Sequence, residues 1–388
     1  MRSAELFSGC GGLALGMSRA GFEHVAMFEY DGDAVATVEY NKLRGVAYVR
    51  DWPLRRRDVR EVDWTPYRGT LALIAGGPPC QPFAIGGSKK GARDARDMWP
   101  EAIRSVREAR PTGFIFENVR NLAGPEFRGY LEWIVQYLRR PGEERRDRET
   151  HAEHLRRLTS RGKPPDYEVV WEVVNAADFG APQIRHRVLI VGLAASLNCA
   201  PAPLRPTHAR DRLLWDQYIT GEYWMRHRIA PLPTEPDDLG DRRRVARLRQ
   251  RREAPSGLPW VTLRDAIAGL GEPSGRNNHV LQPGARSYKG HTGSTLDLPA
   301  KALKAGDHGV PGGENMIRRA DSSVRYFTLR EAARLVGLPD DFGFTRSWTE
   351  TMRQLGNAVP AQLSEAVALH IRPQIEGSRE RRGGQVAA

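Results

Sequence analysis

The chain has 388 residues, of which 59 are lysine or arginine and 47 aspartate or glutamate, for a formal net charge of +12. This length is enough to bury a large core and predicts two domains. The excess positive charge favours a polyanionic partner such as nucleic acid, although a basic surface without any such partner has the same composition. No apolar run approaches the roughly 18 residues that span a membrane, and no signal-peptide core follows Met1. We therefore expect a cytoplasmic protein without membrane association.

The first half of the chain alternates short apolar segments with amphipathic ones. Such a pattern indicates a parallel, doubly wound sheet, in which ligands bind at the carboxyl ends of the strands. Glu29, Cys80 and Glu117 lie at or just beyond predicted strand ends, so we expect one crevice to hold them. Strands are predicted at 4–7, 24–30, 71–75 and 113–116, and helices at 11–20, 33–41 and 99–109.

The pattern changes after residue 139. The highly charged stretch 139–166 is expected to be an exposed helical insertion or a mobile loop. Residues 195–322 are rich in proline, glycine, arginine and isolated aromatics, and this composition predicts a second domain. The polar tail from Glu376 is expected to be disordered. Further strands are predicted at 167–175 and 188–193, and further helices at 325–338 and 363–370.

The cysteine at position 80 is the first candidate for chemistry. It follows a predicted strand within the sequence Gly-Gly-Pro-Pro-Cys-Gln-Pro-Phe at 76–83, where prolines fix the loop and direct the sulfur. A thiolate held this way can act as a nucleophile in covalent catalysis. A lone cysteine is more often buried and inert, so this hypothesis needs support from other motifs. Cys10, Cys80 and Cys199 have no paired spacing, and we expect neither a disulfide nor a metal site.

Two further motifs carry charged side chains. Glu117 begins a Glu-Asn-Val sequence and is a candidate general acid, although a surface carboxylate would fit the same motif. Arg185 and Arg187 stand on alternate residues after Gln183, so in an extended segment both guanidinium groups point to one face. One could then hold a carboxyl and a ligand oxygen while the other grips a phosphate. A strand with a solvated basic face is the alternative.

A glycine-rich turn near the N-terminus is a candidate cofactor loop. The sequence Phe-Ser-Gly-Cys-Gly-Gly at 7–12 joins a predicted strand to a helix, and its glycines allow the backbone to approach a ligand closely. Glu29 ends the next strand and can bond ribose hydroxyls, and Asp58 can accept from an adenine amino group. The spacing differs from the dinucleotide fingerprint, but a dinucleotide-binding protein would also fit.

Together with Gln-Leu-Gly-Asn-Ala-Val-Pro at 354–360, these motifs in this order resemble the cytosine-5 DNA methyltransferases of the bacterial restriction–modification type. The resemblance covers most of the chain except about 139–166, 195–290 and the tail. It implies a Rossmann-like α/β sheet that uses S-adenosylmethionine, with a smaller, irregular target-recognition domain. It also implies a catalytic domain at 1–194, a target-recognition domain at 195–322 and a segment at 323–375 that returns to the catalytic domain.

The resemblance assigns roles residue by residue. It implies that Cys80 adds to C6 of a flipped-out cytosine, that Glu117 is the acid facing N3, and that Arg187 contacts the base beside Arg185. The loop at 83–91 is the candidate for closing over the flipped base. The implied cofactor pocket consists of Phe7, Gly9, Gly11, Glu29, Tyr30, Asp58, Val59, Pro79, Met98, Asn357 and Ala358.

The implied partner is double-stranded DNA, with a cognate restriction endonuclease as a functional counterpart, and the implied state is a monomer near the nucleoid. The tRNA-methylating branch carries other residues after its Pro-Cys, which favours DNA. RNA cytosine methylation and a non-catalytic DNA-binding role remain alternatives. Residues 242–252 are expected to bind phosphates, and the candidate base readers are Arg276, Asn277, Asn278, His279, Arg286 and Lys289.

Overall fold

The computed structural model describes residues 1–79, 97–160, 162, 164–289, 291–306 and 315–386, with side chains as far as residue 377. No helix within these ranges has the length and apolar character needed to cross a membrane. The strands are β1 (Arg2–Leu6), β2 (Glu23–Glu29), β3 (Leu54–Arg56), β4 (Leu73–Gly76), β5 (Gly113–Val119), β6 (Tyr167–Asn175), β7 (Gln183–Ile184), β8 (His186–Ala194), β9 (His208–Ala209), β10 (Leu258–Pro259), β11 (Ala300–Lys301), β12 (Met316–Arg318) and β13 (Val324–Tyr326). The helices are α1 (Gly12–Arg19), α2 (Gly32–Leu43), α3 (Trp99–Ala109), α4 (Arg128–Arg139), α5 (His151–Thr159), α6 (Arg210–Tyr218), α7 (Glu222–Arg226), α8 (Leu239–Leu248), α9 (Leu263–Ile267), α10 (Leu329–Leu335), α11 (Trp348–Asn357) and α12 (Ala361–Val386).

The centre of the molecule is a seven-stranded sheet in the order β3-β2-β1-β4-β5-β8-β6. The first five strands pair in parallel, whereas β8 runs antiparallel to both of its neighbours. The predicted Rossmann-like α/β class is confirmed, and the strands predicted at 4–7, 24–30, 71–75 and 113–116 pair in parallel. Strand β8 adds an antiparallel arm that the sequence analysis did not foresee. The segment 176–185 between β6 and β8 contains no crossover helix, so the chain turns back and pairs antiparallel.

The register of the sheet aligns the carboxyl ends of four parallel strands. Leu6 pairs with Phe28 on one side and with Gly76 on the other, and Gly76 pairs with Phe116. The residues that follow this row therefore share one edge of the sheet. Since neighbouring strands are about 4.8 Å apart, the outermost members of that edge are separated by roughly 15 Å. Those edge residues are Phe7, Gly77, Glu29 and Glu117.

The last helix packs against the first, and glycines in α1 make the contact possible. A Cβ at Gly16 would lie 2.0 Å from the Ser364 hydroxyl, and a Cβ at Gly12 would lie 2.3 Å from the Val359 carbonyl oxygen. Helix α12 continues to Val386, so the expectation of disorder from Glu376 onward is wrong for the described part of that tail. An ion pair one turn apart, Arg372–Glu376 at 2.8 Å, supports this continuation.

The charged stretch 139–166 adopts the helical alternative. Helix α5 begins with a capping box, in which the Thr150 hydroxyl accepts from the Glu153 amide and the Glu153 carboxylate accepts from the Thr150 amide. The ring of His154 is buried and accepts a hydrogen bond from the Trp133 indole of α4 at 3.1 Å. These contacts attach the insertion to the catalytic sheet through α4.

The described residues of 195–322 form short helices and two-stranded pairs, with no second large sheet among them. Strand β11 pairs with β7, which joins this region to the segment just before β8. The helix predicted at 325–338 is shorter than expected, because Val324–Tyr326 forms β13 and α10 begins at Leu329. The Thr328 hydroxyl accepts from the Glu331 amide and fixes that start.

Candidate active site

Glu117 and Arg187 form an ion pair at the carboxyl edge of the sheet. The Glu117 Oε1 atom lies 2.5 Å from the Arg187 Nε atom, with side-chain exposures of 10% and 13%. The pair forms because β5 and β8 are antiparallel neighbours that place Val119 opposite Arg187. A Cβ at Gly77 would lie 3.3 Å from Glu117 Oε2, so this second oxygen faces the turn after β4. One oxygen thus holds the guanidinium while the other is directed at the turn that leads to Cys80.

Asn118 fixes that turn, a role that the sequence analysis missed. Its amide nitrogen donates to the Pro78 carbonyl oxygen at 3.0 Å, and its amide oxygen accepts from the Val119 backbone at 2.9 Å. Asn118 is buried, so both bonds are shielded from water. The Glu-Asn-Val motif already contained this residue, but nothing in its spacing showed that the side chain would turn back to the neighbouring strand. Cys80 and the predicted loop at 83–91 lie outside the described residues.

The Arg185 side chain is bound by backbone carbonyl groups from two distant segments. It is 1% exposed, and its guanidinium donates to the Leu303 carbonyl at 2.9 Å and to the Gly356 carbonyl at 2.6 Å. The expectation that alternation would put both guanidinium groups on one face stays a prediction. In the described part of the chain the two have different partners, since Arg185 bonds backbone carbonyls and Arg187 pairs with Glu117.

The glycine-rich loop and Glu29 meet at the same edge. The Glu29 carboxylate accepts from the Gly9 amide at 2.7 Å through Oε2 and from the Asp31 amide at 2.7 Å through Oε1. Burial raises the pKa of the Glu29 carboxyl, and the two backbone donors act against this shift. Each carboxylate oxygen has a second lone pair, so Glu29 can still accept from ligand hydroxyls. At Gly11 the left-handed backbone leaves room for the Trp52 ring, which a Cβ would approach to 2.3 Å.

The remaining predicted cofactor residues lie in several environments. Tyr30 is 71% exposed just beyond β2. The Asp58 carboxylate is engaged by Arg60, with Oδ1 and Oδ2 each 3.0 Å from the Nε atom, and this guanidinium lowers the pKa of Asp58. Asn357 is exposed at the end of α11. Phe7 and Met98 are partly buried, and Val59 and Ala358 are buried; Pro79 is the last described residue before Cys80.

Several basic and polar residues predicted to contact DNA have partners within the protein. In α8, Arg244 pairs with Asp211 at 2.9 Å, so part of the charge of the 242–252 stretch is compensated. The Asn278 side chain bonds both the amide and the carbonyl of Phe344, at 3.0 Å each. Two other candidates, Asn277 and His279, bond Asp340 and Thr328 respectively. These three residues stabilise turns, whereas Arg276, Arg286 and Lys289 are exposed.

Asp97, which lies further along the chain than Cys80, is held by two hydrogen bonds. The Asp97 carboxylate accepts from the Trp99 amide at 3.1 Å and also accepts from the Tyr130 hydroxyl of α4. Burial raises the pKa of Tyr130 well above its ordinary value, so this hydroxyl remains a proton donor. The sequence offered no signal for this contact, since the two residues belong to different predicted elements.

The mixed seven-stranded sheet with its site at the carboxyl edge is the fold class of the Rossmann-like methyltransferases. The model of the family described as C-5 cytosine-specific DNA methylase matches residues 1–142 and 143–372. The chain therefore belongs to this family, and the enzyme class predicted from the sequence, a DNA cytosine-5 methyltransferase, is confirmed.

Individual relatives agree with this assignment over nearly the whole chain. The Type II methyltransferase M.NgoMIV of Neisseria gonorrhoeae is 28% identical over 371 residues, covering 95% of this chain and 96% of that protein. The Type II methyltransferase M.AplI of Arthrospira platensis is 28% identical over 379 residues, covering 97% and 87% respectively.

Two solved structures share the fold. A DNMT2 variant of Spodoptera frugiperda has a TM-score of 0.57 at 15% identity, covering 97% of this chain and 99% of that one. The methyltransferase EhMeth of Entamoeba histolytica has a TM-score of 0.55 at 12% identity, covering 97% of both chains. At these identities the likeness concerns the fold alone.

Proposed function

We propose that the protein transfers a methyl group from S-adenosylmethionine to C5 of a cytosine flipped out of a specific duplex DNA sequence, through a covalent adduct between Cys80 and C6. The observation that carries this proposal is the pairing of Glu117 with Arg187 at the turn leading to Cys80. An acid, a base-orienting cation and a nucleophile then act on one site at the sheet edge.

The chemistry follows from the weakness of cytosine as a nucleophile. Addition of the Cys80 thiolate to C6 forms a carbon–sulfur bond and moves electron density onto C5 and N3. Glu117, protonated on its second oxygen in the reacting complex, gives that proton to N3, which neutralises the charge that develops there. It is left as the carboxylate that pairs with Arg187. Arg187 keeps the Glu117 carboxyl in place and presents its remaining donors to the base. In the last step solvent water takes the C5 proton and the Glu117 carboxylate takes back the N3 proton. The carbon–sulfur bond then breaks, which restores the aromatic ring and the thiolate.

The residues around the glycine-rich loop fit S-adenosylmethionine. Glu29 ends β2 beside the loop and retains lone pairs for ribose hydroxyls, and the exposed Tyr30 ring offers a surface for adenine. Asp58 and Asn357 supply further polar contacts, and the partly buried Phe7 and Met98 supply apolar ones. When bound, S-adenosylmethionine supplies the electrophilic methyl group.

The same proposal includes the division of the chain into working regions. We assign residues 1–194 to catalysis and cofactor binding, residues 195–322 to target recognition, and residues 323–375 to completion of the first region. Contacts of α12 with α1, and of β11 with β7, support this division. The resemblance to Type II methyltransferases supports a functional pairing with a restriction endonuclease.

A methyl-transfer assay tests the proposal. The purified protein is incubated with methyl-labelled S-adenosylmethionine and unmethylated genomic DNA, and 5-methylcytosine is mapped by bisulfite sequencing. We expect label confined to one short sequence. Cys80→Ala should abolish transfer while preserving cofactor and DNA binding, and Cys199→Ala, the matched control, should remain active.

Three outcomes would contradict the proposal. Transfer by Cys80→Ala would remove Cys80 from the nucleophile role. Label in total tRNA but not in DNA would replace the substrate with RNA, and label in neither would favour a non-catalytic DNA-binding protein.

A further inference from the structure

Arg185 joins three parts of the chain that are far apart in sequence. Its backbone lies between β7 and β8, next to the residue that precedes Arg187. Its guanidinium reaches the Leu303 carbonyl in the region proposed for target recognition and the Gly356 carbonyl at the end of α11. Asn357, a residue of the proposed cofactor pocket, directly follows Gly356. The buried Arg185 guanidinium therefore contacts one segment beside the proposed cofactor pocket and one segment of the proposed DNA-recognition region.

The Leu303 and Gly356 segments also contact each other directly. A Cβ at Gly356 would lie 2.4 Å from the Ala305 backbone nitrogen and 2.5 Å from the Lys304 carbonyl carbon. Only a glycine allows α11 to approach the 304–305 backbone this closely. The two backbones are thus in close contact, so the position of one segment constrains the position of the other.

The recognition-side segment is itself held rigid. The Asn315 amide accepts from the Lys304 backbone nitrogen at 3.0 Å and donates to the Lys304 carbonyl at 2.8 Å. Asn315 is fully buried and immediately precedes β12. On the other side, β11 pairs with β7 just before Arg185. These bonds connect the 303–305 segment to β12 on one side and to β7 on the other.

We propose that Arg185 is a positioning residue that couples DNA binding to cofactor binding, by linking the 303–305 segment to Gly356 and Asn357. This inference rests on the proposed function. A ligand that fixes either segment then favours the bound arrangement of the other, and by thermodynamic reciprocity each ligand tightens the other by the same factor.

The test is a binding cycle with labelled S-adenosylmethionine and a short duplex carrying the mapped methylation sequence. Cofactor affinity is measured by equilibrium dialysis with and without saturating duplex. We expect the wild type to show a coupling factor within about 5–150, the usual range for linked sites. Arg185→Gln should bring this factor close to one, and Arg185→Lys, which keeps the charge but not the two-pronged geometry, should give an intermediate value.

A second buried arginine provides the matched control. Arg330 is 0% exposed and donates to the Pro339 carbonyl at 2.9 Å and the Phe342 carbonyl at 2.6 Å. It also bonds Asn277 of the recognition region, but among the described residues its hydrogen-bond partners include neither Leu303 nor Gly356, so it controls for loss of a buried arginine that touches the same region. Arg330→Lys should lower the melting temperature and leave the coupling factor unchanged. If Arg185→Gln does not fold, Asn315→Ala weakens the same connection from the recognition side and should also reduce the factor.

The outcomes separate this inference from the proposed function. Absence of methyl transfer by the wild type would overturn the proposed function. Transfer by the wild type with a coupling factor of one, or an unchanged factor in folded Arg185→Gln, would overturn only the coupling role. A factor reduced equally by Arg330→Lys would also overturn it, because the effect would then reflect general loss of stability.

Discussion

The Arg187 guanidinium and the Glu117 carboxylate meet 2.5 Å apart across the β5–β8 pairing, and both are largely buried. A buried pair of this kind contributes little net stability, but loss of one partner leaves an uncompensated charge at a cost of about 3–5 kcal/mol. Replacing Glu117 should therefore affect both the rate of methyl transfer and the stability of the fold.

Glu117→Gln should slow methyl transfer about 10²–10⁴-fold, the usual contribution of a general acid, because the amide cannot give N3 a proton. It should also lower the melting temperature, since Arg187 loses its counter-ion. Single-turnover transfer and thermal unfolding measure the two effects. Glu168→Gln is the control, because Glu168 pairs with Arg139 at 3.1 Å on the same sheet but away from the site. A near-normal rate in Glu117→Gln would remove Glu117 from the acid role.

Asn118→Asp should reduce kcat with little change in cofactor affinity. The aspartate can still accept from the Val119 amide but cannot donate to the Pro78 carbonyl, so the turn leading to Cys80 loses its anchor. Loss of a buried hydrogen bond costs about 1–3 kcal/mol, and Asn118→Ala should lose both bonds and be less stable. Steady-state kinetics with a cofactor titration check this. An unchanged kcat in both variants would show that the turn needs no such anchor.

Gly16→Ala should destabilise the protein by about 1–3 kcal/mol, the usual cost of overpacking, because its Cβ would lie 2.0 Å from the Ser364 hydroxyl. Gly129→Ala in α4 is the matched control, since a Cβ there meets nothing within 4 Å and should be neutral or stabilising. Chemical denaturation measures both variants. Equal stability of the two variants would mean that the close packing of α1 against α12 contributes little to the free energy of unfolding.

Acid should weaken the fold through His24. Burial lowers the pKa of His24 to about 4, so the folded state favours the neutral ring. A lowered folded-state pKa means that the stabilisation is fully present above the unfolded pKa of about 6.5. It is lost as pH falls from there through about 4, and the free energy of unfolding then decreases by at most about 3 kcal/mol. His24→Gln should show a flatter stability profile over this window. Parallel profiles for the variant and the wild type would contradict the prediction.

The location of Glu29 and Glu117 along the same edge of the sheet could be predicted, because the carboxyl ends of parallel strands always share an edge. Their alignment depends on strand order and register, which the alternation of apolar segments does not determine. The partners of Arg185 could not be predicted, because Leu303 and Gly356 lie 118 and 171 residues further along the chain.

The polar residues at 277–279 show a second limit. Asn277, Asn278 and His279 have the side chains of base readers, yet each bonds a neighbouring segment. Asn277 and Asn278 also adopt left-handed backbone conformations, which asparagine tolerates in turns. A sequence shows which side chains can bond, but the choice between a backbone group and a base depends on contacts with residues such as Phe344, far along the chain.

The packing of Gly12 and Gly16 against residues 359–364 can form only late in synthesis of the chain. A ribosome makes α1 well before α12, so the face of α1 that carries these glycines lacks its partner until nearly the whole chain has emerged. Asn357 arrives equally late, and the proposed cofactor pocket cannot close around a nascent chain. A premature stop in the recognition region would thus yield a protein that retains Cys80 and Glu117 but lacks the surface that completes their cofactor site.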